Sequence, residues 1–133
     1  MKSRILLLIM AAAVAFMFMG CKKEEGPVDT TLTIQETRWA ETASFDSEPL
    51  LFTPLKAGDE LYDNMQCTVA VESVSEERIV LDLGGCLVEE NENGTINLNA
   101  DPLEEVELSA GESITLVSQT MDAGIRIVIT YEG

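Results

Sequence analysis

The sequence predicts an all-β domain: a single antiparallel β-sandwich of seven to eight short strands. Three observations lead there. After residue 31, apolar and polar residues alternate along most of the chain, the period of a strand with one buried face. Turn-forming clusters recur every ~8–12 residues, the spacing of sandwiches and barrels. No stretch sustains the period of an amphipathic helix.

The elements follow in order. Thr31–Trp39 reads as the first strand and Leu50–Phe52 as a short second one. Thr53–Asn64, with Pro54, Gly58 and a run of acids, reads as the longest irregular connection. Its Gly58–Asn64 portion mixes Leu61 and Tyr62 with carboxylates, a composition that suits either a recognition surface or a solvated crossover. Gln66–Val74 and Arg78–Leu83 form a hairpin around Ser75-Glu76-Glu77. Val71 opposite Leu81 and Val69 opposite Leu83 give it one apolar face. That register sets Cys67 opposite Gly85, and a bulge at Gly84-Gly85 turns Cys86 toward Cys67. The two cysteines then lie close enough for a disulfide; the alternative is two buried thiols packing as small apolar groups.

Asn91-Glu92-Asn93-Gly94 predicts a tight turn between strands Cys86–Glu90 and Thr95–Leu98, because Asn-Gly supplies the positive φ such turns need. Val106 and Leu108 alternate with Glu105 and Glu107. A turn at Ser109–Glu112 leads into Ile114–Val117. The last strand is the clearest: Ile125, Ile127, Ile129 and Tyr131 share one face, after a turn at Met121–Gly124.

The N-terminal end has a different composition. Lys2 and Arg4 precede an apolar run of 16 residues from Ile5 to Gly20, shorter than the ~20 residues that span a bilayer. A basic start, an apolar middle and a small residue before a charged segment read as an export signal. Cys21 directly after Gly20 makes the segment resemble a bacterial lipoprotein signal. The resemblance implies that the Cys21 thiol is acylated and that the mature chain begins there, held to a membrane by its lipid. Lys23-Glu24-Glu25 also resembles the surface-export tag of some outer-membrane lipoproteins. The expected organisation is a signal peptide over residues 1–20, a flexible acidic tether over 21–31 and the sandwich over 32–133. Assigning Cys21 to lipid leaves Cys67 and Cys86 as an even pair. As a whole, the chain resembles small bacterial lipoproteins with immunoglobulin-like β domains. That resemblance implies an immunoglobulin-like sandwich after an N-terminal signal helix, displayed on the cell envelope outside the cytoplasm.

Charge narrows the function. The full chain has 8 Lys+Arg against 24 Asp+Glu, net −16, and no histidine. Removing residues 1–20 takes Lys2 and Arg4 with it, leaving six basic residues and a net charge of −18. Such a chain repels nucleic acid, whose binding requires cations on phosphates. Without histidine there is no Ser-His or Cys-His nucleophile pair and no histidine zinc site. No phosphate loop or dinucleotide fingerprint is present, so the expectation is a non-enzyme without cofactor or metal. The run from Glu89 partly matches a calcium loop, with Asn91, Asn93, Gly94, Ile96 and Asn97 in phase, but Ala100 stands where a bidentate Glu is needed. Trp39, the single tryptophan, reads as core, or as a platform for a sugar ring or a partner peptide. The expected function is a non-catalytic binding or structural module contacting a protein or glycan. The alternative is an accessory protein that sequesters cations or a basic ligand, and a small hydrolase ranks third.

Overall fold

The structure is a computed structural model and describes residues 26–64 and 66–133. The expected signal helix, the signal peptide and Cys21 lie outside the described residues. The rest is all-β, with ten strands in two antiparallel sheets. They are β1 (Leu32–Ala40), β2 (Ala43–Asp46), β3 (Leu50–Phe52), β4 (Glu60–Asn64), β5 (Cys67–Val74), β6 (Arg78–Gly84), β7 (Leu87–Glu89), β8 (Glu105–Ser109), β9 (Ser113–Ser118) and β10 (Ala123–Tyr131). One sheet runs β2-β1-β10-β9-β7, with β3 beside the first half of β1; the other runs β4-β5-β6-β8.

The first and last long strands form the centre of the larger sheet. β1 and β10 pair without a break from Leu32↔Tyr131 to Ala40↔Ala123. Alternation then sorts their side chains. Leu32 and Ile34 on β1, and Ile125, Ile127, Ile129 and Tyr131 on β10, are fully buried. They share one core with Val69 and Val71 of β5, Ile79 and Leu81 of β6, and Val106 and Leu108 of β8. Each fully buried aliphatic side chain contributes about 1.5–3 kcal/mol by leaving water. The chain changes sheet after β3, β6, β7 and β8, so both sheets depend on the same set of contacts.

The β5–β6 hairpin has the expected register, Val71↔Leu81 and Val69↔Leu83. Several other expectations need correction. The irregularity in this pair falls between Val71 and Ser73, not at Gly84-Gly85. Gly85 instead begins the passage to the other sheet: its φ is 88°, and a Cβ there would lie 2.9 Å from the Cys67 Cα. Thr95–Leu98 is not a strand, because β7 pairs with β9 and the segment after it must cross to the opposite sheet. The Asn91–Gly94 turn does form, with Gly94 at φ 77°. β2 is not among the expected strands: Ala43 and Phe45 do alternate with Ser44 and Asp46, but the segment is only four residues long and all four are exposed. β4 lies inside the expected irregular connection and buries Leu61 and Tyr62. Those two side chains are therefore core and not a recognition surface. The domain also takes in residues assigned to the tether. Val28 pairs with Leu55, and Thr30 is buried.

One inward position of β1 holds a charge. Glu36 continues the phase of Leu32 and Ile34 and is only 6% exposed. Its carboxylate accepts hydrogen bonds from the Tyr62 hydroxyl, Asn64 Nδ2 at 3.0 Å, Ser47 Oγ at 3.2 Å and Arg38 Nε at 2.7 Å. Burial pushes this carboxyl upward, but the four donors together outweigh it and bring the group down from 4.5 to about 2. The same contact raises Tyr62, first through burial and then through the bond to Glu36 and its charge. The arrangement ties β1, β4 and the segment after β2 to one buried anion, whose loss would leave several polar groups unpaired.

Glu36→Gln is expected to lower stability by roughly 2–4 kcal/mol at neutral pH. A depressed carboxyl stabilises the fold above its unfolded value. Its contribution is therefore complete above pH 4.5 and is lost as pH falls toward about 2. Urea midpoints measured across that range should converge for the wild type and Glu36→Gln at the acid end. A constant gap would contradict the assignment.

Candidate ligand-binding cleft

Outward residues of β1, β10 and β9 form the floor of a cleft of about 530 Å³. Its lining includes Thr37 and Trp39 of β1, Arg126 of β10, Val117 of β9, and Glu90 just after β7. The loop after β7 supplies one wall through Gly94, Thr95 and Ile96; Ser44, Thr120 and Met121 complete the rim.

Register explains how these residues meet. Thr37 lies opposite Arg126, and Arg126 opposite Val117. Val117 in turn lies opposite Val88, two residues before Glu90. Four separate chain segments are thus brought into one row. The Arg126 guanidinium donates to the Glu90 carboxylate across this row, forming an ion pair. Trp39 lies opposite Gly124. A Cβ added at Gly124 would lie 2.6 Å from Trp39 Cζ2 and would also collide with the Ser118 and Thr120 hydroxyls. Glycine at this position lets the indole lie close over the sheet. Trp39 is half-buried. It belongs to the cleft floor and is absent from the enclosed core.

The wall is internally bonded. Asn91 N–H donates to Thr95 O at 3.1 Å, and Asn91 Nδ2 donates to Thr95 Oγ1 at 3.0 Å. The Thr95 hydroxyl donates to Asn93 Oδ1 at 2.8 Å. Gln119 Nε2 donates to Asn97 O at 3.1 Å. The asparagines that partly match a calcium loop are therefore engaged in holding the turn, and Asn97 Oδ1 accepts from the Asn99 amide at 3.0 Å.

The cysteines lie elsewhere, at the junction of β4, β5 and the β6–β7 passage. Both are free thiols, Cys67 buried and Cys86 exposed. Burial pushes the Cys67 thiol up, with the neighbouring Cys86 backbone opposing and the Cys86 thiol adding to the rise.

The outer face of the smaller sheet is acidic. Glu72, Asp82 and Glu105, from β5, β6 and β8, bring carboxylate oxygens within 4.8 Å of one another. Asp82 and Glu105 are directly opposed, and Glu72 occupies the irregular position between Val71 and Ser73. A hydrogen bond shared with Glu105 and the charge of Asp82 raise the Glu72 carboxyl. All three groups are exposed.

Sequence reasoning singled out Trp39 but missed its partners. The available signal was phase: Thr37 and Trp39 share one face of β1, as Arg126 and Val128 share one face of β10. Compared with known proteins, the chain matches no family model, no curated sequence and no solved structure.

Two outcomes are expected. Gly124→Ala should displace the indole, red-shift the emission of the single tryptophan and cost roughly 1–3 kcal/mol through overpacking. Alkylation of the native chain followed by peptide mapping should label Cys86 first and Cys67 only on unfolding. Equal labelling rates would contradict the described burial.

Proposed function

We propose that this chain is a lipid-anchored, extracytoplasmic lipoprotein whose immunoglobulin-like sandwich acts as a non-catalytic binding module on the cell envelope. The observation that carries the binding role is the cleft. An aromatic floor, a bonded wall and a few convergent polar groups are the usual composition of a small-ligand site. The charged groups in its lining, Glu90 and Arg126, neutralise each other, and with no histidine in the chain the lining offers no histidine base for a nucleophile. Support for the anchor comes from the Gly20-Cys21 junction, where a short apolar run gives way to charge. Two or more acyl chains would hold the acidic domain firmly where one is marginal. The immunoglobulin-like assignment is supported by two antiparallel sheets around one core with repeated crossings between them.

A second reading, sequestration of cations or a basic ligand, is favoured by one feature: the three carboxylates contributed by β5, β6 and β8. Calcium titrated into the protein should give a saturable heat that Asp82→Asn removes. No heat above dilution would dispose of this reading.

Cys21→Ser should move the protein from the detergent-extractable membrane fraction to the soluble fraction, and intact mass should show a lipid only on the wild type. A serine variant that stays as firmly membrane-bound as the wild type would overturn the anchor.

A further inference from the structure

We infer that the cleft holds a neutral sugar, its pyranose ring set against Trp39 and its hydroxyls bonded by the Arg126–Glu90 pair; this rests on the binding-module reading above. The ligand's charge follows from the lining. Arg126 and Glu90 cancel, so the cleft presents no unpaired charge to a cationic or anionic group. A chain with 24 acidic residues also repels anions over its whole surface.

The polarity of the ligand follows from the remaining groups. One guanidinium N–H is bonded to one Glu90 oxygen, which leaves further donors on Arg126 and acceptor capacity on Glu90. Donors and acceptors fixed side by side match the alternating hydroxyls of a sugar, each of which both donates and accepts. Ser44 adds a hydroxyl at the same space, while the Thr37, Thr95 and Thr120 hydroxyls there are already bonded to Asp46, Asn93 and Ser118 and keep only acceptor capacity or a shared proton for a ligand.

The shape follows from Trp39. Its indole is held over Gly124 by close packing, so an apolar ring is presented without losing side-chain freedom on binding. A sugar has the complementary form, with one face of C–H groups and a rim of hydroxyls. A cleft of about 530 Å³ is within the range of small-ligand pockets and accommodates a mono- or disaccharide. The loop wall that closes one side is already bonded before any ligand arrives.

The single tryptophan gives one indole N–H signal in a nitrogen–proton spectrum. The detergent-solubilised full chain should be titrated with methyl β-D-glucopyranoside, maltose, cellobiose and mannobiose at millimolar concentration. Glucuronate and a Leu-Lys octapeptide serve as the charged comparisons. A saturable shift of the indole signal with a neutral sugar is expected, and Arg126→Gln should weaken it by roughly tenfold or more. Trp39→Ala should remove binding measured by calorimetry, whereas Trp39→Phe should restore part of it. Arg78→Gln, on the other sheet, should leave binding unchanged; the amide spectrum of each variant confirms that it is folded. Absence of any saturable shift with the neutral sugars would overturn the inference. So would binding that Arg126→Gln and Trp39→Ala leave intact. A shift produced only by glucuronate or the peptide would reject the sugar while preserving the binding module, and the anchor is scored separately by membrane fractionation.

Discussion

The unbroken pairing of β1 with β10 is the constraint on which the rest of the molecule depends. Nine residue pairs set which side chains of both strands face inward. A slip of one position would turn one strand over relative to the other, either exposing Leu32 and Ile34 and drawing Trp39 inward or exposing the isoleucines of β10 and drawing Arg126 inward. The same register places Glu36 inside, where Tyr62 and Asn64 of β4 reach it from the opposite sheet. Core, buried anion and cleft are therefore three results of one alignment. That alignment joins residues about a hundred positions apart, so the central ladder has a high loop-closure cost and cannot form until the last strand is available.

The two outer faces of the sandwich differ in chemistry. On the larger sheet the acid Glu90 is matched by Arg126, and hydroxyl and apolar groups fill the remaining space. On the smaller sheet Arg78 pairs with Glu107 at 3.0 Å, but Glu72, Asp82 and Glu105 are gathered together with no ion pair to a cation among the described residues. Like charges gathered on a solvated face are tolerated because water screens them. They also discourage the four-stranded sheet from stacking against a second copy of itself. The face with balanced charge is the one suited to contact.

The sequence carried the parts of this fold that depend on local alternation. The β5–β6 register, the Glu105–Leu108 strand and the inward isoleucines of β10 all follow from a period of two, because one face of each must leave water. What it did not carry depends on pairing across the chain. β2 has an apolar phase of only two residues, Ala43 and Phe45, both exposed, and is fixed by its pairing with β1. β4 was hidden among acids and a glycine, although Leu61 and Tyr62 are buried. Thr95–Leu98 has alternation enough for a strand, yet the chain must leave the sheet there to reach β8. At the cleft, Trp39 was recognisable as an unusual residue, but Arg126, Glu90 and Gly124 acquire their roles only once β1, β7, β9 and β10 lie side by side. Glu36 did break the apolar phase of its strand, a visible sign that a buried charge required partners elsewhere.

The direction in which β1 runs has a further consequence. The backbone enters the sandwich at Leu32 and reaches the tryptophan seven residues later, a rise of about 23 Å at the usual strand spacing. Thr31 O accepts from the Glu132 amide at 2.9 Å, and Val28 pairs with Leu55, so the start of β1 is tied to the sheet. A tether leaving from that end would hold the opposite end outermost, with the indole and its ion pair directed away from whatever surface the N-terminus is attached to. On the proposed anchoring, the sheet would act as a rigid spacer as well as a scaffold, setting the cleft about one strand length beyond the point of attachment.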